Sequence, residues 1–124
     1  YNHLHLTTES TDAYRKALNL AEKEMSLNTR DGDTRSVLGL LCAKLGDRRR
    51  AESEIAQALQ SSPNNAVTLF TGALTYEALN NRQQTLNVLS ASPIGVLQDL
   101  SRWPDMADLR KDPRFIQMIA SKLN

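Results

Sequence analysis

Several residues in this chain are of the types that do chemistry, and their spacing decides what they can do. His3 and His5 are the only histidines, and at a separation of two they point about 200° apart on a helix, so joint metal ligation is not expected. Cys42 is the only cysteine, which excludes an internal disulfide and a cysteine-pair metal site and fits a reducing compartment. It falls on an apolar face, where a buried, inert thiol is expected rather than a nucleophile. Thr29-Arg30-Asp31-Gly32-Asp33 begins like a calcium loop but lacks the later ligands, including the closing glutamate. Asp105, Asp108 and Asp112 cluster near the C-terminus, and helix capping accounts for them without a metal. Arg48, Arg49 and Arg50 stand in a row, yet on a helix they fan out about 100° apart and do not make one nucleic-acid patch; they are expected mainly as solvated surface. No nucleophile–base pair or acid pair emerges, so no catalytic residue, metal or cofactor is assigned and a non-enzyme is expected.

The bulk properties agree. Fifteen basic and fourteen acidic residues leave a net charge of +1, so no global field would hold the protein on nucleic acid or anionic lipid. The longest apolar run is too short to cross a bilayer, and the first residues do not read as a signal peptide. Neither a nucleic-acid nor a membrane partner is expected, and a cytoplasmic location is the default.

Any site must then be built from helices. Five glycines and four prolines punctuate 124 residues rich in Ala, Leu and long polar side chains, a composition that favours helix throughout. No stretch alternates cleanly enough for a strand, and the fold class is all-α. Shifting the chain by 34 places Gly39 on Ala73, Leu45 on Leu79, Gly46 on Asn80, Asp47 on Asn81 and Ile55 on Leu89, and a period of this length marks a helical repeat. Within the unit, Val37, Leu38, Leu41, Cys42 and Leu45 form one stripe from Thr34 to Leu45. Gly46 supplies a left-handed helix end and Asp47 a cap for a second helix, 48–60, which carries Ala51, Ile55, Ala58 and Leu59 inward. Pro63 closes the unit, and Asn80-Asn81 replaces Gly46-Asp47 in the next.

A shift of 41 brings the first residues into register, with Tyr14 on Ile55 and Ala17 on Ala58, which predicts an over-long helix from Asp12 to Leu27 packing through Ala13, Ala17, Leu20, Ala21 and Met25. Tyr1 to Leu4 then reads as the tail of a helix that starts upstream, and the chain as a piece of something larger. After Pro93 the repeat lapses. Helices are expected near Val96–Leu100, Asp105–Arg110 and Pro113–Leu123, the last capped by Asp112 and packing through Phe115, Ile116, Ile119 and Leu123. Trp103 is expected as a buried anchor of this tail.

Leu38-Gly39, Leu45-Gly46-Asp47, Ala51, Ile55, Ala58 and Pro63 together resemble the tetratricopeptide repeat, with Gly39 and Ala51 as the small residues where paired helices approach. In the following unit Thr85 and Ser92 replace small alanines, and looser packing is expected there. The resemblance implies antiparallel helix pairs stacked as a right-handed superhelix: a truncated, elongated repeat over 1–31, repeats over 32–65 and 66–99, and a capping tail over 100–124. The tail, with Leu109-Arg110 and Asp112-Pro113-Arg114-Phe115, and the long helix around AYRKALNLAEKE are similar to tetratricopeptide regions attached to bacterial serine/threonine kinases and adenylate-cyclase-like regulators. No kinase motif is present, so only a regulatory or scaffolding role carries over. The family's concave face maps onto Asp33, Ser36, Leu40 and Lys44 in one repeat and Val67, Phe70, Leu74 and Glu77 in the next. Leu40, Phe70 and Leu74 look surplus to each pair's own stripe, which implies a protein or peptide partner in the groove. The asparagine and lysine clamp of chaperone-binding members is missing there, so heat-shock chaperones are not expected. The rivals are self-association, docking onto an attached kinase or cyclase domain, and a groove filled by the chain's own tail or by a segment upstream of Tyr1.

Overall fold

The computed structural model describes residues 8–27 and 32–123. His3, His5, the Tyr1 to Leu4 segment and Thr29 to Asp31 lie outside these residues. Within them the fold is all-α, with no strand. The helices are α1 (Thr8–Leu27), α2 (Gly32–Lys44), α3 (Arg48–Ser61), α4 (Ala66–Ala78), α5 (Arg82–Ser90), α6 (Ile94–Ser101), α7 (Ala107–Lys111) and α8 (Pro113–Leu123), with one 3₁₀ turn over Pro104–Met106. Among the described residues no helix is long and apolar enough to cross a membrane.

Local chemistry sets the helix boundaries. At the end of α2 the Asp47 N–H donates to the Cys42 carbonyl at 2.8 Å and the Gly46 N–H to Ala43 at 3.2 Å, with Gly46 at φ 87°. This paired bonding satisfies carbonyls that the helix leaves open, and it requires a left-handed residue. The same pattern recurs 34 residues on. Asn81 donates to Tyr76 at 2.9 Å and Asn80 to Glu77 at 3.0 Å, and Asn80 takes the positive φ of 59°. The caps repeat as well, since the Asp47 carboxylate accepts from the Arg50 N–H and the Asn81 amide oxygen from the Gln84 N–H, each at 3.3 Å.

Helix α2 lies at the centre, packed against α1, α3 and α4. A side chain at Gly39 would stand 3.2 Å from the Ile55 nitrogen and 3.3 Å from the Ala51 carbonyl oxygen, so the α2–α3 contact depends on the missing Cβ. The main core runs from Cys42 through Ile55, Leu89, Leu97 and Leu109 to Phe115. A smaller cluster of Ala21, Met25, Leu38 and Leu41 attaches α1.

Several faces differ from the sequence expectation. Val37 is exposed while Ser36 is buried, because α2 has neighbours on three sides and no single stripe to favour. Helix α1 packs through Tyr14, Leu18, Ala21 and Met25, leaving Leu20 and Ala13 in solvent. In α8 Phe115 is buried and Met118 and Ile119 pack beside it, whereas Ile116 and Leu123 are exposed. Thr85 and Ser92, which stand in place of small alanines, are enclosed, their hydroxyls donating to the carbonyls of Asn81 at 3.2 Å and Val88 at 2.8 Å. Helix α5 stops early at Ser90, and the expected boundary at residues 99/100 falls inside α6.

Candidate partner-binding groove

The first helices of the two central hairpins, α2 and α4, lie side by side with α1 on one flank and the 3₁₀ turn of the tail on the other. Between them is a cavity of about 700 Å³ lined by Leu40, Leu41 and Lys44 of α2, Leu74, Glu77 and Ala78 of α4, and Tyr14 of α1. The tail contributes Trp103, Pro104, Met106, Ala107 and Asp108. Four of the eight residues expected on the concave face therefore meet here: Leu40, Lys44, Leu74 and Glu77.

Val67 and Phe70 line a neighbouring cavity of about 480 Å³, with Val96, Asp99, Arg102 and Trp103 among its walls. Asp33 and Ser36 line neither cavity. Ser36 is fully buried and its hydroxyl donates to the Asp33 carbonyl at 2.7 Å. The Asp33 carboxylate accepts from the Thr68 hydroxyl at 3.1 Å, which fixes the start of α2 to the start of α4. Both residues serve helix packing, and Ser36 is inaccessible to a partner.

Leu40, Phe70 and Leu74 are not surplus apolar surface. Leu74 belongs to the main core, and Leu40 and Phe70 pack against it. Leu40 and Leu74 show only part of themselves to the groove, and Phe70 part of itself to the neighbouring cavity. Glu77 is also occupied, since Arg82 grips it with two hydrogen bonds of 2.8 Å, Nε to Oε2 and Nη2 to Oε1. The remaining Arg82 nitrogen, Nη1, donates to Asp112 Oδ2 at 2.9 Å. Asp112 in turn caps α8, its Oδ1 accepting from the Arg114 N–H at 2.9 Å, and it pairs with the Arg114 guanidinium. Hydrogen bonds from the Arg114 side chain and backbone hold the Asp112 carboxyl well below the ordinary carboxylate range, with Arg82 adding to the effect. The bond to Glu77 raises Arg82 further above its ordinary value.

Trp103 also differs from the sequence expectation. It is 44% exposed rather than a buried anchor. Its ring meets Phe70 edge-on, with centroids 5.4 Å apart and planes at 79°, and it lines both cavities. Its position next to Pro104 marked it as noteworthy, but not which helix it would meet. Tyr14 was likewise absent from the expected site, because a contact from α1 follows only from how α1 packs.

The arginine row has a structural use. Arg48 Nη1 donates to the Leu79 carbonyl at 2.8 Å, reaching the turn of the next hairpin. Arg50 pairs with Glu22 of α1 at 2.8 Å. Arg48 and Arg49 are exposed as the sequence implied, whereas Arg50 is partly buried against α1. Cys42 is buried, and desolvation pushes its thiol above the ordinary value, which suppresses the nucleophilic thiolate. Among the described residues no three His, Cys, Asp or Glu side chains are grouped to hold a metal. No protein family, curated protein or solved structure matches the chain.

Proposed function

We propose that this chain is a non-enzymatic protein-interaction module, built as a short right-handed superhelix of tetratricopeptide-like helix pairs with a helical cap, that holds a peptide or helix of a partner protein in the groove between α1, α2, α4 and the tail. The observation that carries this reading is the cavity of about 700 Å³ on the face of the first helices, with Leu40 and Leu74 in its floor and Lys44 and Asp108 among its charged walls. Partly shown apolar side chains bordered by charge suit a ligand that buries one face and orients by the other. The repeat character is supported by the turn bonding and capping that recur at Gly46-Asp47 and Asn80-Asn81. A cytoplasmic setting and a regulatory role within a larger bacterial protein belong to the same reading.

The test is selection of binding peptides from a random library on the immobilised chain, followed by amide chemical-shift mapping of the strongest binder. Shifts centred on Leu40, Lys44, Leu74 and Trp103 are expected. Shifts confined to the outer surface around Ser53, Gln57 and Asn87 would sink the proposal.

A second reading, self-association, is favoured by the apolar side chains exposed at both ends of the stack: Leu20 and Leu27 on α1, and Ile116 and Leu123 on α8. Sedimentation velocity across a range of concentrations separates the two, because a constant monomer removes self-association and leaves the groove.

A further inference from the structure

The concave face is not one continuous trough, because Trp103 stands between its two cavities and forms a wall of each. The smaller, of about 480 Å³, lies between α4 and α6 and is walled by Val67, Phe70, Val96 and Trp103, with Asp99 and Arg102 as its charged residues. Its size falls in the range of pockets that enclose a small organic group. Val67 is 52% exposed although it heads a helix whose next residues are buried, and Trp103 is open although Leu100 and Met106, on either side of it, are enclosed. Large apolar side chains are thus left to water at two points 36 residues apart in sequence, and they converge on one pocket.

The charges around this pocket narrow what enters it. Asp99 and Arg102 pair with each other at 3.5 Å, one helical turn apart, so the rim presents no net charge and favours neither a cationic nor an anionic side chain. The walls offer two aromatic rings at 79° to one another, so an incoming ring can lie edge-on to one and offset on the other. We infer that this pocket takes a single uncharged aromatic side chain from the bound segment, with Trp103 dividing that anchor from the part of the ligand that lies in the larger cavity. The inference rests on the groove being a peptide site and specifies its ligand: a segment with an aromatic residue at one end of its contact.

The probe is N-acetyl-phenylalaninamide, with N-acetyl-lysinamide and N-acetyl-glutamic acid amide as charged controls. The readouts are the methyl resonances of Val67 and Val96 and the indole N–H of Trp103, the chain's sole tryptophan. At about 10 mM the phenylalanine derivative should shift all three, with binding at least about tenfold weaker for the controls. Val67→Asp should abolish the shifts at the two reporters it retains, the Val96 methyls and the Trp103 indole N–H. Val67 is exposed in the first turn of α4, where a carboxylate favours the helix, and an unchanged circular dichroism spectrum confirms the fold. Equal shifts with all three probes, no shift with any, or retained binding by the variant overturns the assignment. If selected peptides bind across Leu40 and Leu74 without an aromatic residue, the pocket assignment fails while the groove stands. If the amide binds but no peptide does, the groove reading fails instead.

Discussion

Arg82 Nη1 holds Asp112 Oδ2 at 2.9 Å across thirty residues of sequence. Arg82 opens α5 and Asp112 stands just before α8, so this bond joins the last hairpin to the tail. The other two donors of the same guanidinium hold Glu77 at the end of α4. Arg48, 34 residues earlier in the repeat, reaches forward in the same sense to Leu79 in the next turn. The residue that follows each cap therefore ties its own hairpin to what comes after it.

Replacing Arg82 with Ala should cost about 1–2 kcal/mol, because Glu77 and Asp112 lose charge-assisted partners while the partly exposed site lets water replace some of them. The tail should loosen first. In urea melts, the Trp103 fluorescence transition is expected at a lower midpoint than the circular dichroism transition. Coincident and unshifted curves would mean that the tie contributes nothing.

The same carboxylate predicts an acid-sensitive component of stability. The folded-state pKa of Asp112 is depressed from its ordinary 3.8, chiefly by the hydrogen bonds from Arg114. A depressed value means that folding favours the ionised form; its contribution is complete above about pH 5 and fades as the pH falls through and below the ordinary value. Asp112→Asn should lower the thermal midpoint near neutrality, with the gap from the native chain constant down to about pH 5 and narrowing at lower pH. A gap that stays the same at pH 7 and in strong acid refutes this.

At Gly39 two effects oppose each other. Alanine is the better helix former by about 1 kcal/mol, but its Cβ would press on the backbone of Ile55 and Ala51 at 3.2 and 3.3 Å. Backbone atoms in a packed helix pair give way poorly, so Gly39→Ala should be net destabilising by about 1–2 kcal/mol and Gly39→Val by clearly more. Equilibrium denaturation decides it, and a stabilised alanine variant would show that α2 and α3 can move apart freely.

Arg49 and Arg50 are adjacent in sequence and should differ in effect. Arg50→Ala removes the 2.8 Å pair with Glu22 and the longer one to Glu54 at 3.7 Å, for an expected loss of about 0.5–1 kcal/mol given the exposure of the site. Arg49→Ala should stay within about 0.5 kcal/mol of the native chain. Matched thermal melts of the two variants at low and high salt provide the check, with the Arg50 effect shrinking as salt rises. Equal effects would mean that the Arg50–Glu22 pair contributes nothing and that Arg50 behaves as solvated surface.

The groove was only partly legible in the sequence, for a reason visible in individual residues. Mapping repeat positions brought Leu40, Lys44, Leu74 and Glu77 to one cavity, yet it placed Ser36 on the surface when it is enclosed. It also treated Phe70 and Leu74 as spare when both pack into the core. Residues 37–43 of α2 are apolar or small all round the helix, so the periodicity that drew Val37 into the inward stripe did not single out the face that the fold buries. Contact with three neighbouring helices chose that face.

What the sequence determined by itself is local: where helices begin and end. Gly46, Asn80, Asp47, Asn81 and Asp112 act through hydrogen bonds that close within five residues, and their geometry is fixed by backbone sterics and side-chain reach wherever the helix lies. What only the tertiary structure decided is which face of each helix meets which neighbour. Ile116 and Phe115 are adjacent and similarly apolar, yet one is in water and the other in the core. Trp103 reaches Phe70, and Arg82 reaches Asp112, across gaps of thirty residues or more. Contacts of that range depend on the crossing of whole helices, which side-chain packing settles collectively and no single stretch of sequence encodes.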